Sequence, residues 1–456
     1  MKKSVRIFEF LKFKIHSKEF VEEHKLHPKA FLRCRLLPFS IIFLFILNLL
    51  RRSIPKELNS FCKNIKIEKT TRSAVTQARA KISPSAFVEL NDVLIEQFYE
   101  DNDYFTYKNF ILLAIDGSSL QLPETQEILD KYGGMTNNTL EIMPGARISI
   151  LYDVLNKIIL HACLKPYKSD EREMAIEHIE ALKALNIDLN RLLIIFDRGY
   201  PSIALMHYLS ENGINFLIRC GTGFVKEINE VLKSKKRDQL VTITPKRLKK
   251  IPKSKLELDR LGLEVEGDIV FRVVIVKLKT GEKEILLTSL LCKKSYPYSI
   301  FQELYFKRWG IEEGYKFIKT VEIENFSGKS ILAVEQDFHA TVLIANSHAL
   351  LMLEAEEEMK KQQKDFLGCS DQASLEKTKV SFLASRKYEY CVNKNVSFEA
   401  LKNEFVSVLL DSHSDIERFC KEIKKLMKCD LIPKRPGRSF RRLRRNTCRK
   451  YHMNQR

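Results

Sequence analysis

The chain has 456 residues, 45% of them hydrophobic, with 28 Phe and 15 Tyr. That is too long for one compact core and too apolar for general disorder, so two to four structural units are expected. Lys and Arg outnumber Asp and Glu by 77 to 58, a formal charge of +19. Such an excess points to nucleic acid first, and an anionic membrane second, as partners.

Residues 1–105 read as helical. The stretch "LLPFSIIFLFILNLL" (36–50), flanked by Arg33, Arg35, Arg51 and Arg52, holds fifteen residues. A spanning helix needs about 20 apolar residues, so a buried helix opened by Pro38 is expected and no membrane role. "SAVTQARAKISPSAFVELNDVLIEQFY" (73–99) reads as helix, turn, helix, with Ser83 and Pro84 opening the second. Arg72, Thr76, Gln77 and Arg79 on the first helix, and Lys81 after it, are residue types that reach phosphates and base edges. A plain helical hairpin with a solvated basic face accounts for them equally well.

From 106 the texture changes. "NFILLAIDGSSLQLP" (109–123), "ARISILYDVLN" (146–156) and "KIILHACLKP" (157–166) read as strands, the last two as a hairpin across Asn156. "SDEREMAIEHIEALKAL" (169–185) is a helix capped by Ser169 or Asp170. "RLLIIFDRGY" (191–200) is a strand and turn, "SIALMHYLSENG" (202–213) a helix, and "INFLIRC" (214–220) a strand. Three successive strands, then helix, strand, helix, strand, predict a mixed α/β sheet with helices on its faces. Residues 222–292 read as an inserted antiparallel β unit with a lysine-rich rim, and helices resume at about 298. The end, 434–456, carries ten Lys or Arg and no acid, the composition of a basic tail. The expected segments are therefore 1–105 (helical), 106–221 and 293–410 (two parts of one mixed-sheet domain, the second with C-terminal helices), 222–292 (β insertion) and 411–456 (basic tail).

The chemistry concentrates in three acids. Asp116 closes "ILLAID" and Asp197 closes "LLIIFD", and in open α/β sheets chemistry collects at the carboxyl ends of strands. Either Asp alone serves equally as a turn former or helix cap. In "YFKRWGIEEGYKFIK" (305–319), continuous α-helix puts Tyr305, Arg308, Glu312 and Lys319 within an arc of about 60°, with Lys316 beside them. Glu312 is the only acid of that stripe. An i,i+4 pair explains Arg308 and Glu312 but not the rest. Phosphoryl transfer on DNA by two divalent ions needs carboxylates converging from several elements, with cations to hold the strand.

The spacing Y-x2-R-x3-E-x6-K, met by Tyr305, Arg308, Glu312 and Lys319, resembles the Y-R-E-K signature of a large group of bacterial insertion-sequence transposases. These are DDE enzymes with a ribonuclease-H-like fold. "IDGSSLQLP", "FDRGY", "ENFSGKS" (324–330) and "QDFHA" (336–340) are similar to other motifs of the group, and the resemblance spans roughly 30 to 350. It implies that Asp116, Asp197 and Glu312 bind two Mg²⁺ or Mn²⁺ ions. It implies that Arg308 and Lys319 contact phosphates of the element's ends and that Tyr305 positions DNA. Trp309 would hold a flipped base or hairpin end, or fill the core beneath the helix. Arg198, Arg219 and Lys316 are further phosphate candidates, the two arginines being equally able to pair with a neighbouring carboxylate. The resemblance also implies double-stranded DNA (terminal inverted repeats and target) as substrate, a homodimer on DNA, and a cytoplasmic, nucleoid-associated protein. A ribonuclease-H-like nuclease without strand transfer and a non-catalytic DNA-binding protein are the rival expectations.

Other chemistries lack their patterns. The ten Cys form no C-x-x-C pair, which speaks against a zinc ribbon or thioredoxin-type site and for buried free thiols in a reducing compartment. His161, His178, His339 and His348 show no ligand spacing, and neither a P-loop nor a G-x-S-x-G elbow is present.

Overall fold

The structure, a computed structural model, describes residues 1–32, 37–48, 53–136, 142–234, 236–277, 281–321, 323–368, 390–411 and 414–433. Arg33, Arg35, Arg51, Arg52 and the basic run from 434 lie outside the described residues. The chain divides into two compact units. One comprises Asn102–Ser119 and Arg147–Tyr315; the other comprises Met1–Asp101, Leu120–Ala146 and Lys316–Arg456. Both are discontinuous in sequence.

The first unit is built on a mixed sheet. Its strands are β1 (Ile111–Gln121), β3 (Ile142–Asp153), β4 (Ile158–Pro166), β5 (Leu192–Phe196), β6 (Asn215–Cys220), β7 (Asp238–Ile243), β8 (Ile269–Lys277) and β9 (Lys283–Thr288), while the short β2 (Gly134–Thr136) pairs with the start of β3 in the second unit. The order is β4-β3-β1-β5-β6-β9-β8-β7, with β1, β5 and β6 parallel. Three successive strands followed by two parallel ones beside the first make the ribonuclease-H-like arrangement that the resemblance implies. Apolar runs such as Leu192–Phe196, every residue buried, suit strands covered on both faces.

Residues 222–292, expected as an inserted antiparallel β unit, carry antiparallel strands. Their strands extend the same sheet, with β9 antiparallel to β6 and β8 antiparallel to both β9 and β7. Without β9, β6 would present an unpaired row of backbone N–H and C=O groups. Arg272 on β8, fully buried, donates twice to Asp238 on β7 (2.7 and 2.6 Å) and to the carbonyls of Leu290 and Tyr296 (3.1 and 2.7 Å). It lies 4.9 Å from the Phe301 ring. One guanidinium thus ties the added strands to the segment leading into the Glu312 helix.

The second unit is helical. Pro38 caps a nine-residue helix, Phe39–Leu47, of which eight residues are buried, and Phe43 stacks on Phe87 with centroids 4.4 Å apart. Among the described residues no helix is long and apolar enough to cross a membrane. Helix Lys3–Ile15 meets the long helix Ile331–Gly368, where the Ser4 amide and hydroxyl both donate to Glu354 (2.8 and 2.9 Å). Lys424, from helix Ile416–Cys429, donates to the same carboxylate at 2.7 Å.

Asp92 on helix Ser85–Tyr99 is pushed up to about 7 by burial, then by Glu96 and Glu89 on the same helix. A raised carboxyl means that the folded chain keeps a proton which the unfolded chain releases near pH 4. Its contribution to stability is therefore full below about pH 4 and is lost as the pH rises to about 7, by at most about 4 kcal/mol. Asp92→Asn should stabilise the protein at pH 8 and leave it little changed at pH 4, as read by denaturant midpoints at both pH values. An equal shift at both would show that charge plays no part.

Candidate active site

The register that pairs Ala114 with Ile195, continued two residues, sets Asp116 opposite Asp197. Asp116 lies within β1 rather than closing it, since β1 runs on to Gln121 past the end of its partner β5. Asp197 follows β5 directly. It is not a helix cap: Ser202 caps the next helix, and Asp197 Oδ1 accepts the Gly199 amide at 2.7 Å in a local turn. Asp116 Oδ1 accepts the Gly117 amide at 2.9 Å, and its backbone carbonyl accepts the Tyr315 hydroxyl at 2.6 Å and the Ser149 hydroxyl at 3.3 Å.

The stretch 305–319 is two helices rather than one. Phe301–Phe306 and Gly310–Thr320 are joined by a 3₁₀ turn, Lys307–Trp309. Each 3₁₀ residue turns further than an α residue, which adds about 60° between Tyr305 and Glu312. The Tyr305 ring accordingly enters the core beside Leu112, Leu193 and Leu304, 4% exposed, and is not available to stack on a base. Its hydroxyl is buried with no hydrogen-bond partner among the described residues. Burial pushes that hydroxyl up, while Arg308 and Arg219 pull it down.

Helix Gly310–Thr320 lies close on β3. A Cβ at Gly314 would stand 3.1 Å from the Tyr152 ring, so the glycine permits the approach that delivers Glu312. Arg308 spans the acids, with guanidinium nitrogens 3.8 Å from Asp116 Oδ2 and 3.9 Å from Glu312 Oε1. Its Nε is buried without a partner among the described residues. The Tyr305 and Trp309 rings flank it at 6.0 and 5.7 Å.

A fourth carboxylate, which the sequence reading passed over, stands in the same place. Glu171 opens the helix Glu171–Ala184, capped by Asp170. A Cβ on Gly117 would come within 2.5 Å of Glu171 Oε1, and one on Gly199 would lie 3.9 Å from Oε2. Glu171 therefore reaches both the β1 backbone beside Asp116 and the turn that holds Asp197, and Gly117 is needed for that approach. Arg147 on β3 pairs with it at 3.2 Å. In sequence, Glu171 is an ordinary first-turn acid favoured by the helix dipole, and no spacing marks it.

The electrostatics show the crowding. Burial raises Asp116 to about 6; Arg308 opposes this, and Asp197 and Glu171 add to it. Burial also raises Glu171, with Arg147 opposing and Asp197 adding. Hard carboxylate oxygens crowded enough to repel one another are a donor set that suits a divalent cation.

The remaining candidates are more dispersed. Trp309 is 50% exposed and so is not a core residue. Lys316 and Lys319 are exposed one and about two turns beyond Glu312 on its helix. Arg198 is exposed and lies against Gly221. Arg219 pairs with Glu284 on β9 at 3.1 Å, the alternative left open for it.

Residues 109–347, just over half the chain and including all four carboxylates, match the family described as transposase DDE domain. The chain belongs to that family. The chain is 26% identical over 294 residues to the transposase InsG for insertion sequence element IS4 of Escherichia coli (strain K12), a stretch covering 63% of this chain and 62% of that protein. Among solved structures it is similar to the piggyBac transposase synaptic complex with hairpin DNA, at 13% identity and a TM-score of 0.42, over 95% of this chain and 87% of that one.

Proposed function

We propose that this chain is a DNA transposase that excises an insertion sequence and joins its ends to target DNA, with Asp116, Asp197 and Glu312 as the catalytic carboxylates. The observation that carries the reading is Arg308 spanning Asp116 and Glu312 at 3.8 and 3.9 Å, with Asp197 beside Asp116, inside the matched family stretch. The three acids, with Glu171 adjoining, would hold two Mg²⁺ or Mn²⁺ ions, which when bound make water or a 3′-hydroxyl more nucleophilic and offset charge on the leaving oxygen.

The chain's own residues do the rest. Arg308 balances the carboxylates and faces the scissile phosphate. Lys316 and Lys319 grip phosphates beside the cut, with Arg198 a further contact. The exposed Trp309 ring offers a platform for an unstacked base, while the buried Tyr305 acts on DNA only through Arg308, whose guanidinium lies 6.0 Å from its ring. In the helical unit, a cleft of about 370 Å³ lined by Arg72, Thr76, Lys329 and Ser330 is large enough for a backbone phosphate, with Arg72 and Lys329 as its cations. Water first cuts at the element's end, and the freed 3′-hydroxyl then attacks another phosphate: the opposite strand if a hairpin forms, and finally the target. Each step is an in-line displacement, so one carboxylate set serves all. Two ends imply two chains on the DNA, working in the cytoplasm at the nucleoid.

The test is a pre-cut duplex end, taken from the inverted repeats flanking the reading frame, incubated with a plasmid and Mg²⁺ or Mn²⁺. Joined product is expected. Cleavage without joining would favour a nuclease, and no metal-dependent processing at all would leave only DNA binding. In the same assay Glu171→Gln should raise the Mg²⁺ needed for half-maximal rate by about tenfold or more. An unchanged Mg²⁺ response would remove Glu171 from the site.

A further inference from the structure

Away from the four carboxylates, three potential ligand atoms that look unrelated in sequence converge. His161 and Cys163 are alternate residues of β4 and so face the same side. His178 lies on helix Glu171–Ala184, which packs on that side. His161 Nδ1 and His178 Nδ1 are 2.8 Å apart, and Cys163 Sγ is 3.7 and 3.9 Å from them. Cys163 is 3% exposed and His178 fully buried, while His161 is only partly buried and opens the cluster to solvent.

We propose that His161, Cys163 and His178 form a structural site for a tetrahedral, thiolate-accepting divalent ion of the Zn²⁺ class. Zn–N bonds of about 2.0 Å and Zn–S bonds of about 2.3 Å make tetrahedral edges of about 3.3 Å between nitrogens and about 3.6 Å between nitrogen and sulfur. The two nitrogen–sulfur distances fall within about 0.3 Å of the second value, while the two nitrogens stand about 0.5 Å closer than the first and would separate by that much around an ion. Glu177, the residue before His178 on the same helix, pairs with Lys165 at 2.8 Å and lies outside the trio, so solvent would supply the fourth ligand.

The hydrogen-bond directions agree. The Ser149 hydroxyl donates its proton to the Asp116 carbonyl, so it accepts from His178 Nε2, at 2.8 Å. His178 therefore carries its proton on Nε2 and presents a bare Nδ1 lone pair to the cluster. This is the usual state of a metal-bound imidazole whose far nitrogen is held by an outer partner. On binding, the ion displaces the Cys163 thiol proton to solvent.

The bond thus made would pin β4 to the helix that carries Glu171. Through Ser149 it would also brace the backbone of Asp116. The site differs from the catalytic one in taking nitrogen and sulfur rather than oxygen ligands, so excess Mg²⁺ should not displace its ion.

The experiment uses the full-length chain purified with Zn²⁺ and dialysed against excess Mg²⁺. About one Zn²⁺ per chain should remain by elemental analysis, and Co²⁺ exchanged in its place should show a thiolate-to-metal charge-transfer band. Cys163→Ser, nearly isosteric, should abolish that band and weaken Zn²⁺ retention at least about 100-fold, and His161→Asn should weaken it similarly. Circular dichroism checks that both variants fold. Should a variant unfold, the band and stoichiometry of the unaltered chain still decide. A chain holding no Zn²⁺ after dialysis, or Co²⁺ bound without a thiolate band, would overturn the proposal and leave a plain hydrogen bond between the two histidines.

Discussion

Glu312→Ala should lower both end cleavage and joining by about a thousandfold or more, a loss of roughly 4 kcal/mol or more of transition-state stabilisation. Asp116 and Asp197 would remain but could not complete the ligand set. Arg308 would lose one of its two carboxylate partners, at 3.9 Å, and be left to Asp116 alone. The helix should survive, because Glu312 is only partly buried and Ala suits a helix interior. The control is Glu313→Ala. That side chain is exposed on another face of the helix and its loss should leave activity within a few-fold. Equal metal-dependent processing by Glu312→Ala and the unaltered chain would sink the site.

Arg79→Ala should cost about 3–5 kcal/mol of stability, the range for breaking a buried ion pair from one side. The helix position suggests a phosphate contact, but the structure turns Arg79 inward, 5% exposed. Its Nε donates to Gln336 at 2.6 Å, and its NH2 nitrogen to the Ala333 carbonyl at 2.9 Å and to Asp337 at 2.8 Å. Its other terminal nitrogen donates to Ser327. Asp337 also accepts the Ser327 amide and hydroxyl, each at 2.8 Å. Removing the guanidinium leaves these acceptors buried and unmatched. Lys cannot reproduce the fork, so Arg79→Lys should rescue little. Urea unfolding reads the effect directly. A variant of normal stability that had lost DNA affinity would restore the phosphate-contact role. Arg72→Ala, exposed on the same helix, is expected to behave in that second way.

The same residues show where sequence was informative. "ENFSGKS" and "QDFHA" stand out as motifs, yet their chemistry is legible only in space, where Ser327, Gln336 and Asp337 close around Arg79. The strands around Asp116 and Asp197 are readable because parallel buried strands demand unbroken apolar runs, and both acids end such runs. The helical stripe holds from Arg308 onward. It fails at Tyr305, because a 3₁₀ turn leaves no mark in the apolar period. Glu171 is hidden for a different reason: its first-turn position has a local explanation, and only the close approach at Gly117 shows the second one. The histidines carry no motif because their ligand set is split between a strand and a helix.

The helical unit has a consequence for how the protein is made. Its first helix is fastened to residues far along the chain: Ser4 to Glu354, Lys12 to Ser414, and the His16 ring to the Leu409 carbonyl. The first hundred residues can bury part of their apolar surface on one another, as Phe43 does on Phe87, but the contacts to Glu354, Leu409 and Ser414 wait until those residues have been made. Such long-range closure is slow and leaves sticky surface exposed. Any DNA grip that depends on helix Arg72–Arg79 being seated on Gln336 and Asp337 would therefore be unavailable to an unfinished chain. A product cut short before residue 330 would be a substrate for chaperones and proteases rather than a competing DNA binder.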